Sequence, residues 1–109
     1  MNKHCLLNLY GANRQKLDDL DLLVNLLKSA AYETGATVLD FCSKKFEPQG
    51  VTIVIMLSES HISIHTWPEK GEAIIDVFTC GEEVEPLWAV PVIVSELQPN
   101  RYTVEMINR

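Results

Sequence analysis

Between Leu57 and Gly81 the chain gathers nearly every side chain able to do covalent or acid–base work: Glu59, Ser60, His61, His65, Glu69 and Cys80. A serine whose preceding carbonyl is held for attack can undergo an N-to-O acyl shift, turning the Glu59–Ser60 amide into an ester. Loss of the Ser60 α-proton then expels Glu59 as a carboxylate, and the dehydroalanine left behind hydrolyses to a pyruvoyl group. That sequence needs a base, and histidine is a suitable type because its pKa lies near working pH. A pyruvoyl ketone can in turn form a Schiff base with a substrate amine and act as an electron sink.

The elements around this stretch are read from periodicity. In His61-Ile62-Ser63-Ile64-His65 the alternation is strict, so both isoleucines fall on one strand face and both histidines with Ser63 on the other. Pro68 ends that strand, and the turn through Lys70 and Gly71 leads to Ala73–Phe78, an antiparallel partner that returns Cys80 toward Ser60. On that reading Ser60, His65 and Cys80 share one side of a sheet.

Upstream, residues 3–10 read as a first strand ending at Gly11. Asp18, Asp19 and Asp21 suit a helix N-terminus, and Leu20, Leu23, Leu27 and Ala30 follow at helical spacing, with Gly35 as C-cap; a helix over 16–34 is expected, its leucine stripe in the core. Residues 36–45 are a strand, Phe46–Gly50 a Pro/Gly turn, and the apolar run Val51–Leu57 a central strand buried on both faces. A second helix is expected over 82–97, kinked or broken at Pro91, and a last strand over 101–107. The order favours an α+β two-layer sandwich, a mostly antiparallel sheet with two helices on one face.

At 109 residues the chain is expected to be a single domain, 1–109. A net charge of −6 without a Lys/Arg-rich run argues against nucleic acid, which needs a basic footprint. No apolar run approaches the ~20 residues that span a bilayer, and the first residues lack a signal-peptide pattern, so no membrane role and a cytoplasmic location are expected. Three cysteines without metal-site spacing fit a reduced protein with no metal. Cys5 and Cys42 are read as structural.

The string ESHISIHTWPE followed by DVFTCG closely resembles the prokaryotic S-adenosylmethionine decarboxylases, self-processing pyruvoyl enzymes of spermidine synthesis. The resemblance extends to HCLLNLYG, GATVLDF and FEPQGV and fades after Gly81. It implies cleavage between Glu59 and Ser60 into chains 1–59 and 60–109, with Ser60 becoming the pyruvoyl cofactor. It further implies that His65 removes the Ser60 α-proton, that Cys80 protonates the substrate α-carbon, that Glu69 binds the ribose hydroxyls and that Phe46 stacks on adenine. His61 is divided between a structural role and support of the site. The substrate would be S-adenosylmethionine and the assembly a homo-oligomer, a dimer of cleaved protomers.

One departure bears on substrate. Where the family usually has serine then glycine after FEPQGV, this chain has Thr52 and Ile53. Threonine keeps a hydroxyl for the site, while the added methyl and Ile53 would narrow it. The alternatives are a pyruvoyl decarboxylase of ornithine or arginine, and a non-enzymatic homologue or metal module using His61, His65 and Cys80.

Overall fold

The computed structural model describes residues 2–109. Strands β1 (Asn2–Tyr10), β2 (Val38–Lys45), β3 (Val51–Leu57), β4 (Ser60–Trp67), β5 (Glu72–Cys80) and β6 (Arg101–Asn108) form one sheet in the order β2-β3-β4-β5-β1-β6. Every neighbouring pair is antiparallel. Helices α1 (Arg14–Leu17), α2 (Leu20–Thr34) and α3 (Ala89–Leu97) complete the expected α+β two-layer sandwich.

Alternation decides what each strand buries. Leu7 and Leu9, Ile53 and Ile55, Ile62 and Ile64, and Ile75 and Val77 point to one face, where they meet Leu23, Leu27, Ala30 and Ile93 of the helices in a single core. The opposite face carries His61, Ser63 and His65 on β4 and is not covered by helices. Val51–Leu57 therefore departs from the expected strand buried on both sides. Val54 and Met56 are 37% and 50% exposed on the open face, because helices cover only the other.

The expected first helix is divided. Asn13 caps α1 and Asp19 caps α2, each accepting a backbone N–H with its side chain, so the aspartates end one helix and start the next. Gly35 is the left-handed C-cap, at φ 91°. Pro91 does not break the last helix. Residues 82–85 are irregular, a 3₁₀ turn spans Pro86–Trp88, and α3 begins at Ala89, so Pro91 lies in its first turn, where an N–H has no intrahelical partner to lose.

Candidate functional site

Strands β3 and β4 are joined by Ser58 and Glu59 alone, and Glu59 adopts φ 59°. A left-handed non-glycine residue stores strain, of order 1 kcal/mol or more. The strain sits on the residue whose carbonyl precedes Ser60. Across the next strand, Cys80 donates its backbone N–H to Ser60 Oγ at 3.0 Å. The β4–β5 hairpin thus returns Cys80 to Ser60, as its alternation predicts. The register nevertheless pairs Ser60 with Leu57, whose side chain is buried on the helix side, so Ser60 does not share the open face with His65 and Cys80.

His65 lies elsewhere. It faces Thr52 across β3, and Thr52 Oγ1 is 2.9 Å from His65 Nδ1. Donation from Nδ1–H to the threonine would select the tautomer that leaves Nε2 free as a base, whereas donation from the threonine hydroxyl selects the other one. Ser60 and His65 are five residues apart along β4, roughly 16 Å at the usual strand rise. Ser60 with Cys80 forms one group at one end of the sheet. Thr52 and His65 form another toward the opposite end, where the loop holding Phe46 and the 3₁₀ turn holding Glu69 also lie.

The Phe46 loop is anchored from both sides. Phe46 N–H donates to Gly50 O at 2.8 Å, and Gly50 N–H donates to Asp18 Oδ1 at 2.8 Å, with Lys45 Nζ 2.9 Å from the same oxygen. The Gly50 N–H, and then Lys45, hold the Asp18 carboxyl below its usual range. Phe46 is 44% exposed, and Glu69 lines an open cleft with Asp18, Lys45 and Gln49. Ile53, by contrast, is fully buried in the helix-side core, so it cannot narrow a site on the open face.

Two residues that sequence reasoning passed over belong to the open face. Asp76 sits mid-strand in β5, opposite Ser63, and accepts from Ser63 Oγ on Oδ1. Its Oδ2 is 2.7 Å from His4 Nε2 and 3.0 Å from His61 Nε2. Burial opposes ionisation of Asp76, but the hydrogen bonds from Ser63, His4 and His61 outweigh it and hold the carboxyl below its usual range. The available signal was an acid at the open-face position of an otherwise apolar strand. The earlier set His61, His65 and Cys80 does not converge: the two histidines are four residues apart on one strand, roughly 13 Å. Cys5 is fully buried, and burial pushes its thiol pKa up, in keeping with a structural role.

Comparison with known proteins agrees with this fold. The chain is 36% identical to the adenosylmethionine decarboxylase of Aquifex aeolicus VF5, whose crystal structure superposes with a TM-score of 0.92 over 100% of this chain and 90% of that one. A Trypanosoma brucei AdoMetDC monomer shares the fold at 16% identity, with a TM-score of 0.69 over 94% of this chain and 44% of that one. The architecture is thus that of a two-layer α+β decarboxylase fold. More narrowly, the S-adenosylmethionine decarboxylase family profile matches residues 3–109, and the chain belongs to that family. Proteins named S-adenosylmethionine decarboxylase proenzyme are 49% identical in Methanococcus maripaludis (strain S2) and 46% identical in Parasynechococcus marenigrum (strain WH8102). Both alignments span 100% of this chain, and 89% and 85% of those relatives.

Proposed function

We propose that this protein is a proenzyme that cuts itself between Glu59 and Ser60, into chains 1–59 and 60–109, and then decarboxylates S-adenosylmethionine. The product is the aminopropyl donor of spermidine biosynthesis. The observation that carries the reading is the seating of Ser60. Its Oγ accepts the Cys80 N–H at 3.0 Å immediately after a residue held at φ 59°. A hydroxyl fixed beside a strained peptide bond has part of its positioning entropy removed in advance.

In processing, Ser60 Oγ forms a bond to the Glu59 carbonyl carbon as the Glu59–Ser60 C–N bond breaks, leaving an ester and a free amine. A base removes the Ser60 α-proton and Glu59 departs as a carboxylate. The remaining enamine hydrolyses with loss of ammonia. Ser60 fits this role because, among the described residues, it alone combines a hydroxyl, a strained preceding residue and a fixed hydrogen bond. When formed, a pyruvoyl group at residue 60 supplies the electron sink for loss of carbon dioxide.

His65, oriented by Thr52, suits the base, and the Cys80 thiol, beside residue 60, suits the proton donor to the substrate α-carbon. A strand cannot bend to bring His65 across roughly 16 Å to Ser60. The two groups therefore meet between two copies. Packing of two open faces about a two-fold axis, with the β4 strands running in opposite directions, sets the sheet end that carries the Glu59–Ser60 bond and Cys80 in one copy against the end that carries Thr52, His65, Phe46 and Glu69 in the other. Such packing would also cover Val54, Met56 and Ile74, which are 37%, 50% and 50% exposed on the open face. In that assembly Phe46 stacks on adenine and Glu69 accepts from the ribose hydroxyls.

Substrates lacking the adenosine would leave Phe46 and Glu69 without a role, and Ile53 lies outside the site, so ornithine or arginine decarboxylation has no support. The cytoplasm suits Cys5, Cys42 and Cys80, all free thiols. Among the described residues no helix is long and apolar enough to cross a membrane.

Intact mass spectrometry of purified protein, followed by carbon dioxide release from S-adenosylmethionine, ornithine and arginine, tests this reading. Two fragments split at residue 59 and release from S-adenosylmethionine alone are expected. An uncut chain with full activity would overturn it.

A further inference from the structure

On the open face, three side chains from three different strands converge. His4 is on β1, His61 on β4 and Asp76 on β5. The nearest ligating atoms, two imidazole nitrogens and one carboxylate oxygen, all lie within 4.8 Å of one another. We propose that His4, His61 and Asp76 bind a divalent transition-metal ion of the zinc class, in a site separate from the self-processing chemistry.

The donor chemistry selects the ion. Two imidazoles and one carboxylate with positions left open suit Zn²⁺, Co²⁺ or Ni²⁺, whereas Mg²⁺ takes oxygen ligands. Tetrahedral coordination at ~2.1 Å places ligand atoms about 3.4 Å apart. Asp76 Oδ2 is 2.7 Å from His4 Nε2 and 3.0 Å from His61 Nε2. Each of these two contacts would open by less than about 1 Å, within the reach of small side-chain rotations, and the two imidazole nitrogens lie within 4.8 Å of each other.

The surroundings are already built around these ligands. Ser63 Oγ donates to the other carboxylate oxygen, Oδ1, and so turns Oδ2 toward both histidines. Such outer hydrogen bonds characteristically aim metal ligands. Phe78 stacks on the His61 ring at 5.7 Å and meets the His4 ring edge-on at 5.6 Å, which limits rotation of both. Arg109 opposes: its guanidinium approaches His4 Nδ1 at 3.4 Å, and the metal-bound tautomer, protonated at Nδ1, requires it to withdraw. That contact is long and exposed, so withdrawal costs little. The ion would tie β1 to β4 and β5 one residue from Ser60.

Titration of tag-free, metal-stripped wild type with Co²⁺ tests the proposal, because its visible bands report the ligand set. We expect one Co²⁺ per chain without a thiolate charge-transfer band, displaced by Zn²⁺ but not by Mg²⁺. His4→Gln and Asp76→Asn should each weaken binding at least tenfold while preserving the circular dichroism of the wild type. His61→Gln, at the exposed rim of the cluster, provides the same readout should either of those misfold. Absence of Co²⁺ binding by wild type at millimolar metal, a thiolate band pointing to Cys42 or Cys80, or unchanged affinity in the folded variants would each overturn it.

Discussion

The backbone N–H of Cys80 meets the hydroxyl of Ser60 at 3.0 Å, although 20 residues separate them in sequence. One residue thereby offers two separable functions: its main chain positions the hydroxyl, and its thiol is free for another step.

Cys80→Ala keeps the N–H and removes only the sulfur. Cleavage at residue 59 should proceed near the wild-type rate, while turnover of S-adenosylmethionine falls by about 10²-fold or more, the usual scale for losing a positioned proton donor. Ser60→Ala should leave one uncut chain with no activity. Mass spectra and carbon dioxide release on the same samples read both effects.

Thr52→Val removes the oxygen 2.9 Å from His65 Nδ1 at nearly constant volume. Losing the side chain that orients the imidazole should slow fragment appearance by roughly tenfold or more, within the range of general-base contributions. Thr52→Ser keeps the hydroxyl and should process normally. A time course of cleavage after synthesis distinguishes them.

Because His65 and Ser60 of one chain cannot meet, defects in the two should complement. Ser60→Ala and His65→Ala should each remain uncut when expressed alone. Coexpressed, they should yield mixed dimers in which the His65→Ala chain is cut, since it supplies Ser60 while its neighbour supplies His65. A coexpressed pair with no cut chain, in mixed dimers verified by mass, would show that the site is not shared.

Asp18 ties the Phe46 loop to the helix layer through Gly50 N–H at 2.8 Å, and this bond and Lys45 depress its carboxyl pKa. A depressed folded pKa stabilises above the unfolded value and is lost as pH falls through the folded one. The anchor should therefore persist at pH 5 and release only below the ordinary aspartate pKa of about 3.9. Amide chemical shifts of Gly50 followed against pH should move in that acid window, and Asp18→Asn should abolish the transition.

Ile64 is fully buried between the sheet and the helices. Ile64→Ala should destabilise the fold by about 2–5 kcal/mol, the range for large-to-small changes in a packed core. Denaturant unfolding measures it directly.

Local physics made much of this protein legible before any fold was known. Alternation in residues 61–65 separated Ile62 and Ile64 from His61, Ser63 and His65, because successive strand side chains must point to opposite faces. Gly35 marked a helix end because only glycine takes the left-handed cap cheaply. The string from Glu59 to Glu69, with the Thr-Cys-Gly after it, pointed to self-processing chemistry and the family. What periodicity could not supply was which strands neighbour one another. Inserting β1 between β5 and β6 brings His4 to Asp76 across 72 residues, a pairing decided by long-range packing. The exposure of Val54 and Met56 followed from where the helices settle, since an apolar run reads alike whether its second face meets a helix or another sheet. Tertiary structure likewise seated Ser60 beside Cys80 and left His65 five residues down the same rigid strand. Residue types alone nominated the candidate groups, but only the three-dimensional register decided which could meet within one chain.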